Sequence, residues 1–201
     1  MRNTAPANSA RRRVTPLVVL ASALLPGPAL LALHFSDGPP ARVTGGFGED
    51  SCLTCHFGNS VNVAGGRLSL RGFPERYSPG ETYELELALS RPKMAAAGFQ
   101  LATRHTADRT QAGRIRVPAK DEARVRLLDE RGVQFAHHLT ADAVPPDAET
   151  VRWKLSWTAP EVAVPIVVHA AAVAGDGDES QLGDYVYTLE ATAEPGEMPL
   201  P

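Results

Sequence analysis

The sequence contains only two cysteines in 201 residues, Cys52 and Cys55. A disulfide scaffold is excluded, because a bridge between these two closes a tiny loop and takes little entropy from the unfolded chain. A structural zinc site is excluded as well, since it needs four ligands and there is no second cysteine pair. Basic residues are not in excess: 20 Lys and Arg stand against 23 Asp and Glu, for a formal charge of -3, and no basic stripe runs along the chain. That balance argues against a nucleic-acid partner. There is no phosphate-cradling glycine loop, no HExxH helix and no Ser-His-Asp arrangement, so the chain is not expected to be an enzyme. What is present, at 43% hydrophobic and 21% charged residues, is the composition of one ordinary globular domain.

Ahead of that domain, Arg11-Arg12-Arg13 precedes an uncharged apolar run from Val14 to Leu33. A basic segment followed by an apolar one reads as an export signal. The run reaches the length of a membrane span, but Pro26-Gly27-Pro28 breaks any continuous helix through it. Residues 1–41 are therefore expected to be a signal peptide, with an uncleaved membrane anchor as the alternative. The cut is expected ahead of Gly45, and Ala41 is one small residue that suits it. Cleavage after Ala41 removes Arg2, Arg11, Arg12, Arg13 and Asp37 and leaves an acidic exported body, periplasmic or on the cell envelope.

The two cysteines stand in the run Cys52-Leu53-Thr54-Cys55-His56. A thioredoxin-type pair expects a strand before it and the helix of a βαβ unit after it. Here Gly45-Gly46-Phe47-Gly48 precedes and Phe57-Gly58-Asn59 follows. The pentapeptide instead has the residues that one covalent haem c requires. Two thiols form thioethers with the two vinyl groups, and the histidine that follows binds iron from the proximal side. Cys52, Cys55 and His56 are the expected haem-attachment residues.

After Gly65-Gly66 the chain becomes a succession of strand-like stretches. Leu85, Leu87 and Leu89 alternate with Glu84, Glu86 and Ser90 after a Pro79-Gly80 turn, the period of a half-buried antiparallel strand. Similar stretches recur at 98–105, 115–117, 123–128, 133–138, 151–157, 166–173 and 185–191. No segment beyond residue 57 has a convincing helical period. The pattern predicts an all-β, immunoglobulin-like antiparallel sandwich over residues 66–192. Residues 42–65 form the haem-attachment segment and linker, and 193–201 a disordered tail. A helical wrapper of the kind that encloses the haem in small cytochromes c is not expected.

The chain from Cys52 to Thr188 resembles exported bacterial domains of the reeler-like, choice-of-anchor V type, which are related in fold to the reelin N-terminal domain. The matching pieces are Cys52-Leu53-Thr54-Cys55-His56, Tyr77-Ser78-Pro79-Gly80-Glu81-Thr82-Tyr83, Gly98-Phe99-Gln100-Leu101, Gln111-Ala112-Gly113, His138, Trp153 through Pro160, Val168-His169-Ala170 and Gly183-Asp184-Tyr185-Val186-Tyr187-Thr188. The chain departs from the pattern at Val173-Ala174-Gly175. The resemblance implies the sandwich and leaves function open.

His169, with His138 as the alternative, is the expected distal iron ligand, because both sit in strand-like stretches that the resemblance picks out. Small or apolar neighbours Val167, Val168, Ala170 and Ala171 leave room for a porphyrin beside His169. On the alternation of strand 133–138, His137 is buried and His138 faces out. His105 is expected at the surface, and Met94 in a loop, exposed or filling a gap. Trp153, Leu155 and Trp157 share one strand face and are expected in the core, with one indole edge as a conceivable haem contact. Asp176, Asp178, Glu179 and Asp184 form an acidic turn that lacks the glycine and terminal glutamate of a calcium loop, so a solvated hairpin is expected. Two functions follow. One is a monohaem electron-transfer protein of the cell envelope with a redox partner protein. The other is an exported binding, adhesion or sensor module in which haem is structural or ligand-sensing.

Overall fold

The computed structural model describes residue 1 and residues 38–145 and 148–196. Of the expected signal peptide, residues 2–37 lie outside the described residues. Among the described residues no helix is long and apolar enough to cross a membrane.

Among the described residues eleven strands make two sheets. β1 (Arg67–Arg71), β3 (Thr82–Ser90), β9 (Thr150–Thr158) and β5 (Arg114–Arg116) form the smaller one, in the order β1-β3-β9-β5. The larger runs β2 (Arg76–Tyr77), β11 (Tyr185–Pro195), β10 (Ile166–Gly175), β4 (Ala96–His105), β7 (Val133–His138) and β6 (Val125–Glu130), with β8 (Asp142–Ala143) also pairing β4. All pairings are antiparallel except that of β11 with β2. The fold is the expected reeler-like β-sandwich. β11 runs past residue 192 into the expected tail, because Glu194 and Pro195 pair with Arg76 and Tyr77. The two-residue strands β2 and β8 carry no period for a sequence reading to detect.

Alternation places the core. In β9, Val151, Trp153, Leu155 and Trp157 are buried while Arg152 and Lys154 are exposed. Across the sandwich, the Trp153 ring lies 4.6 Å from that of Phe99, and Tyr77 meets Trp157 edge-on at 6.0 Å. Both indole N–H groups are satisfied: Trp157 donates to the Ala112 carbonyl at 2.9 Å and Trp153 to Asp142 Oδ2 at 2.6 Å. That removes the cost of burying an unpaired donor. Met94 lies in a loop and fills this core, one of the two placements expected of it.

β10 breaks the alternation, for all ten of its residues are buried. A strand reads this way when both of its faces are covered. Val168, Ala170, Ala172 and Ala174 face the sandwich interior, whereas Ala171 and Val173 join Cys52 and Val186 in a second, smaller cluster. The segment from Gly38 to Asn62 crosses this outer face and is the cover.

Candidate functional site

The pentapeptide folds as one helical turn. Cys52–Thr54 is a 3-10 turn whose N-cap, Ser51, accepts the Leu53 N–H on its hydroxyl at 3.2 Å. The Cys55 and His56 N–H groups both donate to the Cys52 carbonyl, at 3.2 and 2.9 Å. Residues three and four apart on a helical turn share a face, so Cys52, Cys55 and His56 are presented together. The two thiols are not joined. Cys52 is buried against Ala171, Val173 and Val186, while Cys55 is half-buried. Burial pushes the Cys52 thiol up to about 12, so it is neutral at physiological pH. Spacing and helical turn fit a haem held by two thioethers and a proximal histidine, provided Cys52 turns out of the apolar cluster in which it is buried.

His56 Nδ1 lies 2.5 Å from Asp184 Oδ2. Asp184 is buried, and its backbone is drawn under the pentapeptide segment by Asn59, whose Nδ2 donates to the Gly183 and Asp184 carbonyls at 2.7 and 3.1 Å. Phe57 N–H donates to the Gln181 carbonyl at 2.9 Å, and Gly183 N–H returns a bond to the Phe57 carbonyl at 2.8 Å. The expected acidic turn therefore divides. Asp176, Asp178 and Glu179 are exposed, with Asp176 and Asp178 capping the N–H groups of Asp178 and Ser180. Asp184 has left them for His56. Its partner is 128 residues away, beyond the reach of any local pattern.

The segment ahead of the pentapeptide is tied down by polar side chains of β4. Gln100 accepts the Val43 N–H on Oε1 and donates through Nε2 to the Pro40 carbonyl, both at 2.8 Å. Arg104 meets Glu49 at 2.8 Å, with both side chains about 95% buried, and Arg42 adds a second contact to Glu49 at 3.1 Å. Residues 38–41, on the signal side of the expected boundary, already belong to this cover. Gln100, Arg104 and Glu49 escaped the sequence reading because an isolated polar residue in a strand looks like any solvated one.

His169 is buried on the same outer face. Its Nε2 meets Glu190 Oε2 at 2.9 Å, the Phe47 ring stands edge-on at 4.9 Å, and Gly46 packs so closely that a Cβ there would collide with the imidazole. His169 is nevertheless remote from His56. Asp184 lies across from Gly175, six residues further along β10, which is roughly 20 Å at about 3.3 Å per residue. One iron ion does not span that gap.

His138 is not turned to solvent as its strand alternation suggests. The ladder of β7 with β4 ends at His137, and the His138 imidazole takes over, its Nδ1 lying 2.9 Å from the Phe99 N and 3.1 Å from the Phe99 carbonyl. Its far edge occupies the space a side chain at 98 would need: a Cβ on Gly98 would stand 2.6 Å from His138 Nε2. A glycine inside a strand often marks such a close approach. Gly98 pairs with Val173, part of the floor under Cys52, one side-chain row from Gly175. Burial lowers the pKa of His138, and the nearby imidazoles of His137 and His56 act in the same direction. His137 is buried as expected, but under Gly38 on the outer face rather than in the core. Period two says which residues share a face, not which of two covered faces it is.

Of the other candidates, Met94, Trp153 and Trp157 lie in the sandwich interior, a different cluster from that of Cys52. His105 ends β4, half-buried.

No family model and no curated protein matches the sequence. The fold is that of a reeler-type sandwich. It is similar to the Reelin-N domain of F-spondin, with a TM-score of 0.51 and 18% identity over 73% of this chain and 96% of that one. The human F-spondin reeler domain (fragment 1) gives a TM-score of 0.45 and 19% identity over 68% of this chain and 95% of that one. At such identities the likeness establishes the fold alone.

Proposed function

We propose that this chain is an exported monohaem c-type protein that passes single electrons to a redox partner protein in the cell envelope. The observation that carries this reading is the helical turn that brings Cys52, Cys55 and His56 together, with Cys52 seated in a small apolar cluster. Cys52 and Cys55 would hold the haem through thioethers, and His56 would bind iron through Nε2, since its Nδ1 is engaged by Asp184. Haem supplies the Fe(III)/Fe(II) couple, and no other chemistry is assigned to the chain. His138 replaces His169 as the proposed distal ligand. It lies beside the floor of the attachment turn, and its Nε2 faces away from the Phe99 backbone that holds Nδ1. Phe57 and Leu182, whose backbones form a β-bridge next to His56, expose their side chains and would offer the partner an apolar contact there. Contact with a membrane is proposed only through the N-terminal segment, where it is retained.

The test is to make the full chain alongside a haem-attachment system. Denatured protein should keep its Soret and α bands and carry the mass of one haem, and replacing Cys52 and Cys55 with Ala should abolish both. Acid-acetone extraction that removes all colour overturns the reading. His138→Ala should convert a low-spin spectrum to a high-spin one that binds carbon monoxide, while His169→Ala leaves it unchanged. A wild-type protein that is already high-spin moves the function to ligand sensing.

A further inference from the structure

The bond between His56 and Asp184 has consequences beyond attachment. Asp184 is a buried carboxylate 2.5 Å from the imidazole nitrogen that faces away from iron in the proposed haem protein. A histidine that binds a metal commonly donates its other N–H to a carboxylate, which sets the tautomer and makes the ring a stronger donor. Four hydrogen bonds fix the backbone that carries this carboxylate: two from the Asn59 amide to the Gly183 and Asp184 carbonyls, and the pair joining the Phe57 backbone to Gln181 and Gly183. Gly175 adds room beneath it, since a Cβ there would lie 3.1 Å from Asp184 Oδ1.

From this geometry we infer that Asp184 is a positioning residue that lowers the reduction potential of the haem and makes the protein a low-potential electron donor. The inference rests on the haem reading above. Oxidised haem carries one more positive charge than reduced haem. A buried anion that acts through the proximal imidazole therefore favours the oxidised form, and the low dielectric around Asp184 keeps that preference from being screened. Exposed Asp176, on the same loop, supplies the same formal charge without touching His56.

The experiment measures the midpoint potential of the full haem-loaded chain in wild type, Asp184→Asn and Asp176→Asn, with attachment checked by mass. Asp184→Asn keeps the shape and removes the charge. It should shift the Fe(III)/Fe(II) ratio at a fixed potential at least tenfold toward Fe(II), a rise of 59 mV for a one-electron couple. Asp176→Asn should shift it less than twofold. Haem attached to Asp184→Asn with a ratio changed less than twofold overturns the inference alone. A wild-type chain without covalent haem overturns the haem reading and this inference with it. Should Asp184→Asn fail to fold, Asn59→Ala frees the backbone under Asp184 without touching the carboxylate. It should raise the potential in the same direction by a smaller amount, and an unchanged value overturns the role of Asp184.

Discussion

On its inner face β10 presents Val168, Ala170, Ala172 and Ala174 to Phe99, Trp153 and the rest of the sandwich core. On its outer face the same strand presents His169, Ala171 and Val173 to an irregular segment carrying Gly46, Phe47 and Cys52. Both faces are buried, by different physics. The inner one is closed by a second sheet whose large side chains remove apolar area from water, a cooperative and non-directional gain. The outer one is closed by a chain without regular structure, anchored through a few directed contacts: Gln100 to Pro40 and Val43, Arg104 to Glu49, and His56 to Asp184. The difference teaches that the sandwich is the scaffold and the outer cover a removable element.

Trp153→Ala strikes the inner face and should produce the largest effect. It deletes a fully buried indole in contact with Phe99, and loss of about 3–5 kcal/mol from the whole domain is expected in urea unfolding. Protection of β4 and the attachment segment should fall together. A change confined to one sheet breaks the distinction between scaffold and cover.

Arg104→Ala strikes the outer face. Removing one partner of a buried ion pair costs about 3–5 kcal/mol when the other charge stays buried. Glu49 has an escape, because the segment can lift and rehydrate it, so a loss of no more than ~3 kcal/mol is expected. Hydrogen exchange should quicken at Gly45 and Glu49, whose N–H groups donate within the cover, while the β4–β10 ladder stays protected. Equal quickening in both places contradicts a separable cover.

A shorter amino terminus should have a smaller effect. A chain beginning at Arg42 loses the bond between the Pro40 carbonyl and Gln100, and it should be less stable than one beginning at Gly38 by about 1 kcal/mol. Under the proposed export, the mature terminus should accordingly lie ahead of Gly38. Sequencing of the purified mature chain decides this, and a terminus after Ala41 would show that the cover closes without Pro40.

The finest test compares the two thiols in protein made without haem. Cys55 should react with iodoacetamide well before Cys52 near neutral pH, since only Cys52 is buried on the apolar floor. The folded value for Cys52, about 12, lies above a thiol's ordinary value of 9.0. Below pH 9 the thiol is neutral in both folded and unfolded chains, and its burial costs no charge. As pH rises from 9 toward 12 the unfolded chain loses the proton first, so the cover should loosen through that window. Equal alkylation rates of both cysteines would show that the cover is already open.

Much of the scaffold was legible. Alternation in β3 and β9 announced strands with one wet face, and Trp153, Leu155 and Trp157 came out in the core as their spacing required. β10 was legible as a strand, but the side on which His169 lies was not, because a run buried on both faces carries no alternation to read. His138 misled for another reason. Its imidazole leaves the direction set by the pleat to bond the Phe99 backbone over a glycine, a local exception that only the neighbouring strand reveals.

By itself the sequence determined the chemistry on offer in the pentapeptide and the strand periods that build a sandwich, because covalent spacing and side-chain alternation are local properties of a chain. The tertiary structure alone decided which distant groups meet that pentapeptide. Asp184 reaches His56 and Gly98 makes space for His138 through pairings between strands far apart in sequence, and His169, chosen for its neighbours, lies roughly 20 Å along β10 from the residue opposite Asp184. Such encounters depend on register, and register is set when sheets form, not by the residues on either side of a histidine.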